Sequence, residues 1–374
     1  MSGLFNDFYK NKKILITGHT GFKGSWFSLW LCRLGAEVIG YALEPPTEPS
    51  LFEICGLSKK LTSVISDIRQ FDRLKDVLDK YQPEIVFHMA AQSLVRYSYK
   101  KPTMTYETNV MGTVNLLEAC RHIPSVRVIA NITSDKCYEN HGEEKRYKES
   151  DPMGGHDPYS SSKGCSELVT NAYLKSFFNI DRNNKKNSVS LASVRSGNVI
   201  GGGDWAEDRF VPDCIKAFIK NKRVIIRYPD AIRPWQHVLE GLYGYLLLAK
   251  CLYQNGPAFS GPWNFGPNDA DAKPVKWLVE RLVELWGKEN IAWTVDAGKN
   301  PHEALYLKLD SSKARTKLGW YPQWGLQTAL TKTVECYKAY YNNEDMAEVI
   351  LRQIGDYEAE ARKAKVKCND LQVL

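Results

Sequence analysis

No two cysteines in this chain are spaced like a redox pair or a set of metal ligands. The nine thiols (Cys32, Cys55, Cys120, Cys137, Cys165, Cys214, Cys251, Cys336 and Cys368) are odd in number and form no Cys-x-x-Cys or Cys/His grouping. Neither a disulfide framework nor a zinc site is therefore signalled, and reduced thiols with no metal are expected. Long apolar runs are also missing: no stretch approaches the ~20 residues a membrane span needs. The N-terminal residues Met1-Ser2-Gly3-Leu4-Phe5-Asn6-Asp7 lack a basic segment followed by an apolar one, so a cytoplasmic protein without membrane contact is expected. Charge is nearly balanced, with 50 Lys+Arg against 43 Asp+Glu and a net +7. That excess suits a small anionic ligand and does not signal nucleic acid. The basic runs Lys185-Lys186 and Arg362-Lys363-Ala364-Lys365-Val366-Lys367 carry no interleaved aromatics and read as solvated surface. Internal repeats are absent.

What is present describes an ordinary globular chain. Its 374 residues, 43% apolar and 25% charged, can bury a sizeable core and at ~150 residues per domain suggest two or three domains. Short β-rich runs alternate with helical patterns through the first half, which predicts βαβ units and a parallel sheet. The strands are Lys13–Thr17, Glu37–Tyr41, Ser63–Ile65, Glu84–His88, Val126–Ile132 and Ser188–Val194, with helices over Phe22–Leu34, Thr103–Arg121 and Pro158–Phe177. The fold class expected is α/β, a doubly wound Rossmann-like parallel sheet over residues 1–200. Beyond Gly201-Gly202-Gly203, Pro and Trp become frequent and turns such as Gly266-Pro267-Asn268-Asp269 break the rhythm. A smaller mixed substrate domain is expected over 201–340. It is discontinuous, with about 231–265 returning to the sheet, and a helical tail follows over 341–374.

The first strand runs into Gly18-His19-Thr20-Gly21-Phe22-Lys23-Gly24 and then a helix. Glycines stand where a backbone turns tightly and approaches a pyrophosphate, whose charge the main-chain amides and helix N-terminus bind. Gly18, Thr20, Gly21, Phe22, Lys23 and Gly24 are thus candidate cofactor contacts, although a tight turn without a ligand has the same local signature. The acid that receives an adenosine ribose is expected at the end of the second strand, where Glu44 is either that acceptor or a plain loop acid. No Arg stands there, which favours NAD over NADP. After the third strand, Asp67 and Ile68 are placed to meet the adenine, with a helix N-cap as the competing role for Asp67.

Two further segments carry proton chemistry. Thr133-Ser134-Asp135-Lys136-Cys137-Tyr138 leaves the C-terminal end of the fifth strand, on the side where open α/β sheets bind ligands. Tyr159-Ser160-Ser161-Ser162-Lys163 opens a helix with Tyr and Lys at i and i+4 on one face. Lys163 is expected to lower the Tyr159 phenol pKa toward the neutral range and to hold a nicotinamide ribose. Tyr159 then exchanges a proton with a sugar hydroxyl, and Ser134 completes the hydrogen-bond set.

With these segments in view the chain resembles the extended short-chain dehydrogenases/reductases, and more narrowly the nucleotide-sugar 4,6-dehydratases. The resemblance rests on Gly18–Trp26, Phe87-His88-Met89-Ala90-Ala91-Gln92, Thr108–Thr113, Thr133–Tyr138, Tyr159–Lys163, Arg233–Val238, Asn264-Phe265-Gly266-Pro267 and Lys317-Leu318-Gly319-Trp320, which together span nearly the whole chain. Two positions depart from the wider family. Asp135-Lys136 stands where Asp-Glu is usual, and Lys23 where an aliphatic residue is usual; both resemble the branch acting on CDP-glucose.

The resemblance implies catalytic NAD and conversion of CDP-glucose to a 4-keto-6-deoxy sugar, a deoxysugar precursor. By the same resemblance Tyr159, Ser134 and Lys163 serve oxidation at carbon 4, Asp135 is the general acid at carbon 6, and Lys136 is the base at carbon 5 or an electrostatic stabiliser of the enolate. Ala90, Ala91 and Gln92 are implied as cofactor contacts, and Asn198, Arg209, Arg233 and Tyr306 as substrate contacts. Asn109 is read as structural. A homodimer built on the Thr103–Arg121 and Pro158–Phe177 helices, with a tetramer open, is implied as well. A dehydratase of a GDP-, UDP- or dTDP-sugar, a nucleotide-sugar 4-epimerase and a non-catalytic NAD sensor are the alternatives. Asp135 argues against the epimerase, and joint retention of Ser134, Tyr159 and Lys163 argues against the sensor.

Overall fold

The computed structural model describes residues 3–178, 189–287, 292–296, 298 and 306–371, with side chains in the last helix up to residue 364. The Lys185-Lys186 pair and the side chains of Lys365 to Cys368 lie outside the described residues. Seven strands make one parallel sheet: β1 (Lys13–Thr17), β2 (Glu37–Ala42), β3 (Thr62–Ile65), β4 (Ile85–His88), β5 (Val128–Ile132), β6 (Ser190–Ser196) and β7 (Gly261–Phe265). Their order is β7-β6-β5-β4-β1-β2-β3, so the winding reverses at β1 and β4. That reversal opens a crevice beyond the strand C-termini, where ligands of doubly wound sheets bind. β4, β5 and β6 are buried along their whole length, as strands covered on both faces must be; the runs of β4 and β5 are near-continuously apolar, while β6 buries Ser190, Ser193, Arg195 and Ser196 as well.

Helices cover both faces. The first, α1 (Phe22–Arg33), buries every residue from Gly24 to Leu31, because it is enclosed by the sheet on one side and later helices on the other. By contrast, α2 (Phe71–Tyr81) buries only Leu74, Val77 and Leu78 at helical spacing and leaves its charges in water. The long helical pattern before β5 is not one regular helix. Residues Glu107–Met111 adopt a π-helical turn before α3 (Gly112–Arg121), and the turn directs the buried Asn109 side chain onto the loop after β4. Next come α4 (Pro158–Tyr173), α5 (Phe210–Ile219) and α6 (Val238–Asn255), the last of which leads into β7. Finally α7 (Val275–Trp286), α8 (Leu326–Tyr341) and α9 (Met346–Leu371) complete the chain. The last of these docks on α1 and α6 through polar contacts. Glu358 accepts from Trp30 Nε1 at 2.9 Å and pairs with Arg33, while the Tyr357 hydroxyl donates to Glu240 at 2.7 Å. No helix among the described residues is long and apolar enough to cross a membrane.

Candidate active site

The glycine turn lies at the crevice, and its three glycines have different reasons to be glycine. Gly18 has φ +78°, and a Cβ there would sit 2.8 Å from the Ala90 amide nitrogen; at Gly24 a Cβ would sit 2.1 Å from the Gly18 carbonyl oxygen. Backbone packing alone therefore demands both. At Gly21 a Cβ would meet only the Gly18 oxygen, at an ordinary 3.5 Å. Its open side is the approach to the α1 N-terminus, which has no side-chain cap and so presents first-turn amides to an anion. The turn thus fits a dinucleotide pyrophosphate. Thr20 Oγ1 donates to the Leu43 carbonyl at 2.9 Å, tying the turn to the end of β2. His19 is buried against Ser63, with its pKa pushed down to about 4 by burial, and Gly40 is glycine because a Cβ there would lie 2.3 Å from the His19 ring.

Lys23 does not point at the turn. Its Nζ donates to the Tyr245 hydroxyl at 2.9 Å and to Ser196 Oγ at 3.3 Å, at the C-terminal end of β6. Glu44 is exposed, two residues past the end of β2. Asp67 is held by both oxygens to the Arg69 guanidinium, which keeps its pKa below the usual carboxylate range; it is not a helix N-cap, since Gln70 occupies that position of α2. Ile68 is buried against Gly112. Next to Ala90 and Ala91, the Gln92 side chain holds its own loop through Leu94 and Thr105, and Asn109 brackets the Gln92 backbone and reaches Ser162 at 2.8 Å. These contacts tie the loop after β4 to α4 through Asn109.

The proton-transfer groups come from two elements. Asp157 caps α4 by accepting from the Ser160 amide at 2.9 Å, and Pro158 occupies the first helical position, so the helix starts where Tyr159 lies in its first turn. At the end of β5, Ser134 Oγ accepts from the Lys136 amide at 3.2 Å and starts a single 3₁₀ turn over Asp135–Cys137. Ser134 also donates to Asp135 Oδ1 at 3.1 Å and lies near enough to the Tyr159 phenol to oppose the rise in its pKa. Asp135 is fully buried. Its Oδ2 has no hydrogen-bond partner among the described residues, and burial raises its pKa against the opposing pull of Lys136, Ser134 and Arg233. Burial thus favours the protonated form of this carboxyl, the form a general acid needs. Gly197, which the sequence reading did not single out, leaves this oxygen its room: a Cβ there would lie 2.9 Å from Oδ2. Lys136 is half-buried beside it.

The Tyr159 phenol is not drawn toward the neutral range as the sequence reading expects. Burial pushes the phenol up to about 12; Ser134 and Arg209 oppose the shift and Asp135 adds to it. Lys163 is not a principal cause of the phenol's shift, and its Nζ donates to the Ile132 carbonyl at 3.3 Å. Its own pKa falls to about 8 through burial and the Lys23 charge, with Glu167 resisting. Among the substrate candidates, Arg209 pairs with Asp204 and reaches Ser93, and Arg233 is buried within electrostatic reach of Asp135. Tyr306 bridges to Ile232, next to Arg233. Asn198 is half-buried, and its carbonyl accepts from the Gln236 amide at 3.0 Å. Among the described residues no group of three or more His, Cys, Asp or Glu side chains is placed to hold a metal.

Comparison with known proteins agrees with this geometry. The family model of the GDP-mannose 4,6-dehydratases matches residues 15–245. The CDP-glucose 4,6-dehydratase of Salmonella typhimurium is 54% identical over 94% of this chain and 97% of that protein. The dTDP-glucose 4,6-dehydratase of Haemophilus influenzae is 25% identical over 87% of this chain and 97% of its own. The crystal structure of the dTDP-glucose 4,6-dehydratase DesIV from Streptomyces venezuelae, with NAD bound, superposes with a TM-score of 0.76 at 23% identity, covering 90% of this chain and 100% of that one.

Proposed function

This chain belongs to the GDP-mannose 4,6-dehydratase family, and on that premise we propose that it dehydrates CDP-D-glucose to CDP-4-keto-6-deoxy-D-glucose. The observation that carries the reading is the Asp135 carboxyl, buried, with one oxygen unengaged among the described residues, and hydrogen-bonded to Ser134, which also lies near Tyr159. An epimerase needs the tyrosine and the serine but no acid at carbon 6. The relative of high identity, named for CDP-glucose, supports the nucleotide.

NAD, when bound, is the oxidant at carbon 4 and, once reduced, the reductant at carbon 6 of the same sugar, and its positive pyridinium favours ionisation of the nearby phenol. The residues of this chain do the proton work. Tyr159 takes the proton of the carbon-4 hydroxyl, and Ser134 holds that oxygen in place. Lys163 holds the nicotinamide ribose. The ketone acidifies carbon 5, and Lys136, half-buried beside Asp135, takes the proton there. Asp135 protonates the carbon-6 hydroxyl as it leaves as water. Lys136 then returns its proton to carbon 5, and solvent exchange resets Tyr159 and Asp135, so the sugar loses one water and the cofactor is unchanged.

Gly18, Thr20, Gly21, Phe22, Gly24, Asp67, Ile68 and Ala90 to Gln92 form the dinucleotide side of the site. On the other side the Arg233 fork, with Arg209, Asn198 and Tyr306, holds the diphosphate. The enzyme works in the cytoplasm and supplies deoxysugar precursors. It does so as a homodimer joined through the Thr103–Arg121 and Pro158–Phe177 segments, where Met111, 50% exposed, lines an apolar hollow with Tyr106, Val110 and Cys165 and Leu168 is 60% exposed. The test is incubation of CDP-glucose with the protein and catalytic NAD. The expected product is a base-sensitive 4-keto chromophore without net NADH. Turnover of GDP-, UDP- or dTDP-sugars instead would reassign the substrate, and no product from any of them would refute the reading.

A further inference from the structure

Directly beneath the proposed proton-transfer groups lies a buried ion pair that the mechanism above does not use. We propose that Glu167 and Arg195 act as a clamp that positions the two halves of the site against each other: α4, which bears Tyr159 and Lys163, and the strand-end segment, which bears Ser134, Asp135 and Lys136. Glu167 stands one turn beyond Lys163 on α4, and both side chains of the pair are no more than 4% exposed. All four good acceptor positions of the carboxylate are filled. Oε2 accepts from Ser193 Oγ at 2.6 Å and Arg195 Nη2 at 2.7 Å, while Oε1 accepts from Arg195 Nε at 2.9 Å and from Thr133 Oγ1. The third guanidinium nitrogen, Nη1, donates to the Tyr138 hydroxyl at 2.6 Å, and the guanidinium carbon lies 4.8 Å from the centre of the Tyr138 ring.

Thr133 and Tyr138 are the residues on either side of Ser134–Cys137. The clamp therefore grips both ends of the segment that carries the proposed acid and base, and ties it to the helix that carries the tyrosine. Apolar side chains of similar size would hold these elements together as well or better, since burying two charges is costly. They would not fix angle and register as a two-pronged guanidinium–carboxylate contact does. Neither residue reaches the crevice, so both are positioning residues. Glu167 has a second, electrostatic effect on Lys163, whose other charged or titratable neighbours are Lys23 on α1, Cys137 in the strand-end turn and His88 on β4. The carboxylate is the anion that keeps the Lys163 amine protonated against burial and Lys23.

This inference rests on the roles of Tyr159, Lys163 and Asp135 proposed above. Its test is Glu167→Gln, followed by single-turnover appearance of reduced nicotinamide and by product formation across pH, with whichever nucleotide sugar the wild type converts. Both the oxidation and the water-loss step are expected to slow, by roughly 10²-fold for a displacement of about 1 Å, with KM unchanged. The alkaline limb of the oxidation step is expected to move to lower pH as Lys163 loses its proton more readily. A merely structural role would not move that limb. The double variant Glu167→Met/Arg195→Met removes both charges together, avoids leaving one unpaired, and carries the same shift. A wild-type alkaline limb and wild-type rates in either folded variant would overturn the clamp. Failure of the wild type to convert any nucleotide sugar would instead overturn the function proposed above.

Discussion

Asp135→Asn separates the two halves of the reaction. The substitution keeps the shape of a side chain that is fully buried between Ser134 and Gly197, so no cavity or clash is introduced. On the role proposed for Asp135, it removes the proton given to the departing water. General acid catalysis contributes about 10²–10⁴ in rate, which at ~1.36 kcal/mol per decade is roughly 2.7–5.4 kcal/mol of barrier. On the roles proposed above, oxidation at carbon 4 relies on Tyr159 and Ser134 and is expected to survive, so reduced nicotinamide builds up on the enzyme while 4-keto-6-deoxy product falls by that factor. The same change has a second signature. Burial raises the Asp135 pKa in the folded state, so the folded protein binds this proton more tightly than the unfolded chain, and the resulting stabilisation is complete below the unfolded value of ~3.9 and lost as pH rises through the folded one. Asparagine has no such dependence, so the variant is expected to gain in Tm relative to wild type from acid to neutral pH. Stopped-flow absorbance of the nicotinamide, product assay and thermal melts at several pH values read all three effects. Undiminished deoxysugar output from a folded variant would refute the role of Asp135, and a parallel fall in both steps would refute the division of labour.

The glycine turn offers a contrast between neighbours. Gly24→Ala places a methyl 2.1 Å from a carbonyl oxygen and is expected to cost at least the ~1–3 kcal/mol of an overpacked core. Gly21→Ala meets nothing closer than 3.5 Å and is expected to keep stability within ~0.5 kcal/mol while weakening NAD binding; equal melting losses would remove the argument. Arg233→Met is expected to raise KM for the nucleotide sugar tenfold or more, roughly 1.4 kcal/mol of a lost charge-assisted contact, and an unchanged KM would exclude the arginine from diphosphate binding. Glu240, pushed up to about 8 by burial despite donors from Tyr357, Gln323 and Trp324, contributes stability that is present below ~4.3 and lost as pH rises through about 8. Glu240→Gln is accordingly expected to flatten that slope by up to ~1.4 kcal/mol per pH unit. Denaturant titrations from pH 5 to 8 check it, and identical slopes in the two proteins would contradict it.

Local signals made much of this legible before any coordinates. A strand that ends in three spaced glycines and enters a helix has few alternatives, and Tyr159 and Lys163 share a face because four residues make about one turn. The serine, aspartate and lysine after the fifth strand were legible because strand ends in a parallel sheet converge on one crevice. What was not legible depends on contacts between distant residues. Lys23 turns inward because Ser196 and Tyr245, 173 and 222 residues later, meet its amine. The phenol pKa of Tyr159 rises because the fold buries it, which helical spacing cannot reveal. Gly197 and the Glu167–Arg195 pair carry no motif of their own; only the approach of α4 to β6 gives them meaning. Strand limits differ from the sequence expectation by two residues at β5, which starts at Val128, and at the end of β6, whose ladder runs on through the polar Arg195 and Ser196 that an apolar pattern does not reveal.

The central claim is that electrons leave and re-enter one sugar. Supplying CDP-glucose deuterated at carbon 4, with catalytic unlabelled NAD, and locating the label in the product by NMR tests it directly. Deuterium on the carbon-6 methyl of a 4-keto-6-deoxy sugar, with no net NADH, is the predicted result. Label released into the free nicotinamide pool, or an unlabelled methyl group, would contradict it.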